Sequence, residues 1–235
     1  MRPLLPLQAP ALLALLLCAP GSHALELRPT TLELAPGQVQ AELWLINDEL
    51  TAWEGRLRVY AWDQNSGLDR LQPTTALVTS PTYAHLPPGA RQKIRLVTTP
   101  ALPGSGATEQ AFRILIESSS PGTTRYSLPL FISPARMAAG ALSARLSRDG
   151  DTPCLALHNA GTRRARLQDL VQLDPDGRRG TLLTGLAGYV LAGATVCWQL
   201  PAPFAEHPGV RFLVRRNGGT ADDLTPIAAA AGAGL

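Results

Sequence analysis

Leu86-Pro87-Pro88-Gly89-Ala90-Arg91-Gln92-Lys93-Ile94-Arg95-Leu96-Val97 places a Pro/Gly turn directly ahead of a run in which polar and apolar residues alternate. Proline presets φ and glycine accepts a positive φ, so the first half reverses the chain. A period of two in the second half is that of a strand with one buried face. The same grammar recurs on both sides. Leu25, Leu27, Leu32 and Leu34 read as a first strand kinked at Pro29 and closed by the turn Ala35-Pro36-Gly37. Val39, Ala41, Leu43 and Leu45 alternate with Gln40, Glu42 and Trp44, which gives a second. Arg56 to Trp62, Ala76 to Val78, Gln92 to Val97, Ala111 to Ile116 and Tyr126 to Ile132 follow. Seven short strands in about 110 residues, separated by Gly/Pro/Asn turns, predict a β-sandwich of immunoglobulin size.

The composition breaks at Pro134 to Gly140, which reads as a hinge. A second series of strands then spans Ala144–Leu146, Cys154–Leu157, Ala165–Leu170, Thr181–Leu183, Val196–Leu200 and Val210–Arg215. Asn159-Ala160-Gly161, Asp176-Gly177 and Asn217-Gly218 are hairpin-type turn signals between them. The expected architecture is all-β, with one sandwich domain over 25–135 and a second over 136–227. Residues 228–235 are small and aperiodic and read as a disordered tail.

The N-terminus indicates the compartment. Arg2 precedes an apolar run from Leu4 to Leu17, and Ser22-His23-Ala24 puts small residues at the minus-three and minus-one positions of a cleavage site. That is the layout of a secretory signal peptide over residues 1–24. The run is too short for a bilayer span, which needs roughly 18 apolar residues. No stable membrane insertion is expected. Removing residues 1–24 from a chain of 235 leaves 211 residues, room for two such sandwiches. Two cysteines remain, Cys154 and Cys197. In an oxidising compartment a bridge between them is expected, contributing about 4 kcal/mol by loop closure.

Several chemistries find no support in the pattern. The Arg pairs Arg163-Arg164, Arg178-Arg179 and Arg215-Arg216 are scattered among turn residues, whereas nucleic-acid binding needs one clustered basic face. No phosphate-cradling loop, zinc-binding HExxH helix or GxSxG elbow occurs. Cys154 and His158 share a strand face, but zinc needs further ligands, so a disulfide beside a surface His is preferred. Asp174, Asp176, Asp222 and Asp223 read as solvated turn or near-tail residues, and the four Trp as packing residues rather than a sugar platform. A binding protein without metal or cofactor is expected, not an enzyme.

The ordered phrases of the first half resemble the periplasmic pilus-assembly chaperones. Leu27-Arg28-Pro29-Thr30-Thr31-Leu32-Glu33-Leu34 is similar to their first strand, and Thr79-Ser80-Pro81 with Leu86 to Leu96 to their SP…LxPGxxQxIR stretch. Ala111 to Glu117 and Arg125 to Ile132 resemble their last two strands, in a version closer to the archaic branch that serves spore-coat-U-like subunits. Leu186 to Gly193 adds a weaker echo in the second half.

The resemblance implies two immunoglobulin-like domains set in an L, located in the periplasm. The implied partners are pilus or spore-coat-like subunits and an outer-membrane usher. A chaperone of this kind lends its last first-domain strand to a subunit that lacks one, by β-strand addition. Alternation puts Tyr126, Leu128, Leu130 and Ile132 on one face of that strand, either as lending residues or as ordinary sandwich core. In the best-known branch an Arg and a Lys grip the client's C-terminal carboxylate. Thr31 and Pro129 stand at those positions here, and neither carries a charge. The resemblance to the archaic branch therefore points to Arg113 as the anchor, with Arg125 next. The other reading of both is a strand Arg paired with a carboxylate such as Glu117. Two alternatives for the whole chain remain at this stage: a degenerate structural adaptor, and a carbohydrate-binding sandwich.

Overall fold

The structure, a computed structural model, describes residues 25–102, 106–119, 125–136, 138, 140–200 and 209–226. The expected signal peptide and tail lie outside the described residues. Ten strands come first: β1 (Glu26–Arg28), β2 (Leu32–Leu34), β3 (Gln40–Ile46), β4 (Trp53–Asp63), β5 (Arg70–Pro73), β6 (Leu77–Ser80), β7 (Tyr83–Leu86), β8 (Arg91–Thr98), β9 (Gln110–Ser118) and β10 (Arg125–Ile132). Seven more follow: β11 (Leu142–Asp149), β12 (Thr152–Asn159), β13 (Ala165–Leu173), β14 (Arg179–Val190), β15 (Thr195–Gln199), β16 (Arg211–Arg216) and β17 (Ala221–Leu224).

The first ten form two sheets, one in the order β1-β3-β8-β6, the other β2-β10-β9-β4-β5 with β7 also paired to β4. Their inner faces enclose a core built on Leu34, Leu43, Leu45, Leu86, Ile94, Leu96, Ile114, Ile116 and Leu130. Each such side chain contributes about 1.5–3 kcal/mol on burial. The later strands form sheets β11-β12-β15 and β14-β13-β16-β17 around Leu155, Leu157, Leu167, Val190, Phe212 and Val214. The fold is all-β and consists of two sandwiches. No described helix is long and apolar enough to cross a membrane.

The predicted first strand is in fact two. β1 pairs with β3 in one sheet, and after Pro29 the chain crosses so that β2 pairs in parallel with β10 in the other. Cys154 and Cys197 form a disulfide with Cα atoms 5.6 Å apart, joining β12 to β15.

One device occurs in both domains. Buried Asn47 donates from Nδ2 to the carbonyls of Thr51 (2.9 Å), Leu86 (2.9 Å) and Pro87 (3.2 Å), and its Oδ1 accepts from Glu49 N–H (3.1 Å). Buried Asn159 repeats this with Arg163 (2.7 Å), Val190 (2.9 Å), Leu191 (3.2 Å) and Gly161 N–H (3.0 Å). The Gly89 N–H donates to Asn47 O, and the Gly193 N–H to Asn159 O. Both glycines sit at φ 71°, in the left-handed region that favours glycine. Leu86-Pro87-Pro88-Gly89-Ala90 and Val190-Leu191-Ala192-Gly193-Ala194 are thus equivalent turns, each satisfied by one amide.

Candidate functional site

Strand alternation decides which side chains meet where the two sandwiches touch. On β10, Leu128, Leu130 and Ile132 point into the first core, so Phe131 must point the other way. It is fully buried against Trp62 of β4 and Tyr189 and Leu191 of the second domain. The rings pack at 5.9 Å (Trp62–Phe131), 5.5 Å (Phe131–Tyr189) and 5.7 Å (Trp62–Tyr189, edge-on), spacings at which aromatic quadrupoles attract.

Hydrogen bonds fix this cluster. Trp62 Nε1 donates to Asp69 Oδ1 (3.0 Å). Buried Gln64 donates from Nε2 to the same oxygen (2.9 Å) and to Tyr189 O (2.9 Å), and its Oε1 accepts from Leu191 N–H (2.7 Å). The Gln64 amide therefore pairs with β14 as a neighbouring strand would, across the domain boundary. Gly188, at φ 136°, precedes Tyr189 where the β13–β14 register slips, a bulge that re-aims the next side chain.

Two arginines cover rings of the cluster. The Arg164 guanidinium lies 3.7 Å from the centre of Phe131. Its Nη1 reaches Glu109 at 2.6 Å, its Nη2 contacts Glu33, and Arg163 adds contacts to both carboxylates. The Arg113 guanidinium lies 3.8 Å from the centre of Trp62 and 6.0 Å from that of Tyr189. Among the described residues no carboxylate forms an ion pair with it. Burial pushes its pKa down, while the Asp69 carboxylate and then Tyr189 oppose that shift. The pairing with Glu117 is not made: Glu117 is held by Arg125 (2.7 Å) and Arg58 (3.5 Å).

Beside Arg113 lies an open edge. Pro129 stands directly across from Arg113 in the β9–β10 register. β10 pairs with β9 along its whole length, but with β2 only over Leu130 to Ile132. The second edge of β10 from Arg125 to Pro129 thus has no strand partner among the described residues. The side chains of Leu128, Leu130 and Ile132 belong to the first core, and half-buried Tyr126 packs against it. Burial pushes the Tyr126 pKa up. Residues 120–124, which lead into this edge, lie outside the described residues.

The remaining candidates are occupied otherwise. Trp53 and Trp62 are buried, Trp198 donates to Ala187 O (3.2 Å), and Trp44 lies beneath Lys93 and Arg91. His158 contacts the Thr195 hydroxyl at 3.1 Å. Exposed Glu54 accepts from Tyr83 (2.6 Å) and contacts His85 (2.7 Å). Those bonds lower its pKa, Tyr83 first. Among the described residues no group of three or more His, Cys, Asp or Glu could hold a metal ion.

No protein-family model matches the chain, and no curated protein matches its sequence. Solved structures do match. A chain of the CsuC–CsuE chaperone–tip adhesion subunit pre-assembly complex of archaic Csu pili from Acinetobacter baumannii aligns at TM-score 0.71 and 20% identity, over 87% of this chain and 99% of that one. The CupB2 chaperone of Pseudomonas aeruginosa aligns at 0.57 and 16%, over 84% and 97%. The E. coli chaperone DraB aligns at 0.57 and 19%, over 86% and 96%. The fold is that of the pilus chaperones. In that fold both sandwiches are accounted for, so the Arg113 site and the open β10 edge lie within a shared two-domain frame.

Sequence reasoning singled out Arg113 and the β10 face but did not group Trp62, Gln64, Asp69, Phe131 and Tyr189 as a unit. The one local signal was the glycine before Tyr189.

Proposed function

We propose that this protein is a periplasmic chaperone that caps pilus or spore-coat-like subunits by strand addition, without cofactor or catalysis, before an outer-membrane usher takes them over. The observation that carries the reading is the cation–edge pair: an unpaired guanidinium held on an aromatic face, directly beside five residues of unpartnered strand. The backbone from Arg125 to Pro129 offers hydrogen-bonding groups to an extended client segment. Pairing protects an incomplete client sheet from self-association. Arg113 receives the client's terminal carboxylate through charge-assisted hydrogen bonds. Arg125, exposed and paired with Glu117, marks the far end of the edge and stands second as an anchor. Half-buried Tyr126 borders the client's core, while Leu128, Leu130 and Ile132 tie the edge to its own domain. The similarity in fold to CupB2 and DraB supports this reading, as do the ordered phrases of the sequence.

A second reading has one observation in its favour. Leu128, Leu130 and Ile132 are used by the chain's own core, so an adaptor that binds an intact partner without lending apolar side chains fits too. Co-expression with pilus or spore-coat-like subunits separates the two. A chaperone protects those subunits from proteolysis, and Arg113→Ala lowers recovery at least tenfold with the fold unchanged by circular dichroism. Subunit levels indifferent to the protein's presence favour the adaptor, and full recovery with Arg113→Ala removes the anchor assignment.

A further inference from the structure

We infer that the anion site is built by both domains, with the Tyr189 hydroxyl as the second donor to the carboxylate that Arg113 receives. The inference rests on the chaperone reading above and adds the residue that completes its anchor.

Tyr189 is 7% exposed, and its ring is packed by Trp62 and Phe131. Its hydroxyl has no hydrogen-bond partner among the described residues. Yet among the described residues no fully buried side-chain polar atom lacks a partner. The hydroxyl therefore reaches the surface, on a ring that is otherwise enclosed. The same reasoning applies to half-buried Arg113, whose guanidinium nitrogens have no hydrogen-bond partner among the described residues and so touch solvent. The guanidinium lies 6.0 Å from the centre of the ring that carries this hydroxyl.

A phenol and a guanidinium so placed are both donors, and a carboxylate has acceptor sites for both. The Gly188 bulge and the Gln64 clamp hold the phenol in position, so little rotamer freedom remains to be lost on binding. The ligand class is a carboxylate at the end of an extended peptide, since the open edge beside Pro129 leads to this point.

The test uses the full chain and two probes, an alternating peptide acetyl-Thr-Val-Thr-Val-Thr-Val with a free C-terminal carboxylate and its C-terminal amide, measured by calorimetry. The wild type is expected to prefer the acid on the order of a hundredfold, with Arg113→Ala bringing the ratio to about one. Tyr189→Phe, which keeps the ring, should lower the ratio about tenfold. An unchanged ratio in Tyr189→Phe, with the ratio lost in Arg113→Ala, overturns this inference and leaves the anchor intact. No preference in the wild type overturns both. The 13C shift of the Tyr189 ring carbon bearing the hydroxyl gives a check that needs no variant. It should move with the acid and not with the amide, and a shift indifferent to the acid counts against the site.

Discussion

Arg164 and Arg113 lie over rings of one aromatic cluster at nearly equal distances, 3.7 and 3.8 Å, but their surroundings are opposite. Arg164 carries Glu109 and Glu33 and is closed off, its side chain 9% exposed and that of Glu109 only 2%. Arg113 carries neither. The aromatic faces position both cations, and the presence or absence of carboxylates separates a structural tie from a receptive site. A buried charge whose partner is already present holds the domains together. A cation positioned without a carboxylate among the described residues is, on the proposed reading, ready for a partner from outside.

The largest expected effect breaks the tie. Arg164→Met strands Glu109 in a nearly dry position, with Arg163 Nε at 3.4 Å and the Arg164 backbone N–H at 3.0 Å as remaining partners. Removing one partner of a buried pair costs about 3–5 kcal/mol, whereas replacing both by apolar or neutral groups is far milder. Denaturant unfolding should show a loss of about 3 kcal/mol for Arg164→Met and recovery of most of it in Arg164→Met/Glu109→Gln. If the single substitution costs under about 1 kcal/mol, the contrast between the two arginines is not energetic.

The next effect concerns the repeated amide. Asn47→Ala and Asn159→Ala each leave buried carbonyls without a donor and should cost about 2 kcal/mol apiece. Asn159 has a further task, since its Oδ1 fixes the Gly161 N–H, and a Cβ on Gly140 would come within 1.9 Å of Gly161 N. The turn and the interdomain connector are therefore in backbone contact. Asn159→Ala should also raise amide hydrogen exchange at Ala160 and Thr162, whose N–H groups bond Ala141 and Ala138. Unaltered exchange there confines the amide's role to its own domain.

These elements differ in how far the sequence discloses them. β3, β8 and β9 are legible because polar and apolar residues alternate cleanly. β5 is not, for all four of its residues are exposed and one is Pro73, which leaves no buried face to mark a period. β17 hides likewise behind Asp222 and Asp223. The split of the first strand into β1 and β2 depends on which sheet each half joins, a tertiary choice that the apolar pattern leaves open. The repeated Asn turns are visible as residues, but their partners stand some 40 and 30 positions downstream. The site is the least legible part. Trp62, Arg113, Phe131 and Tyr189 come from four strands in two domains, and each by itself reads as a packing or surface residue. Only the resemblance of the last two first-domain strands singled out Arg113. Nothing local distinguishes an arginine that will find a carboxylate from one that will not.

The smallest expected effect tests that distinction from the other side. Arg113→Ala removes a stacked cation, which forfeits about 0.5–1 kcal/mol of cation–π attraction, but it also relieves the cost of holding an unpaired charge half-buried. The two terms oppose each other, so the unfolding free energy should change by less than about 1 kcal/mol. The sign of pH dependence follows as well. Burial lowers the Arg113 pKa relative to the unfolded chain, so the folded state binds that proton less tightly. That penalty is relieved only as pH rises through the folded pKa, so through neutral pH, where arginine is charged in both states, removing the side chain should leave the pH dependence of stability unchanged. A loss approaching that of Arg164→Met would mean that Arg113 is a structural tie after all, with a partner in the free protein that makes the site unavailable to any client.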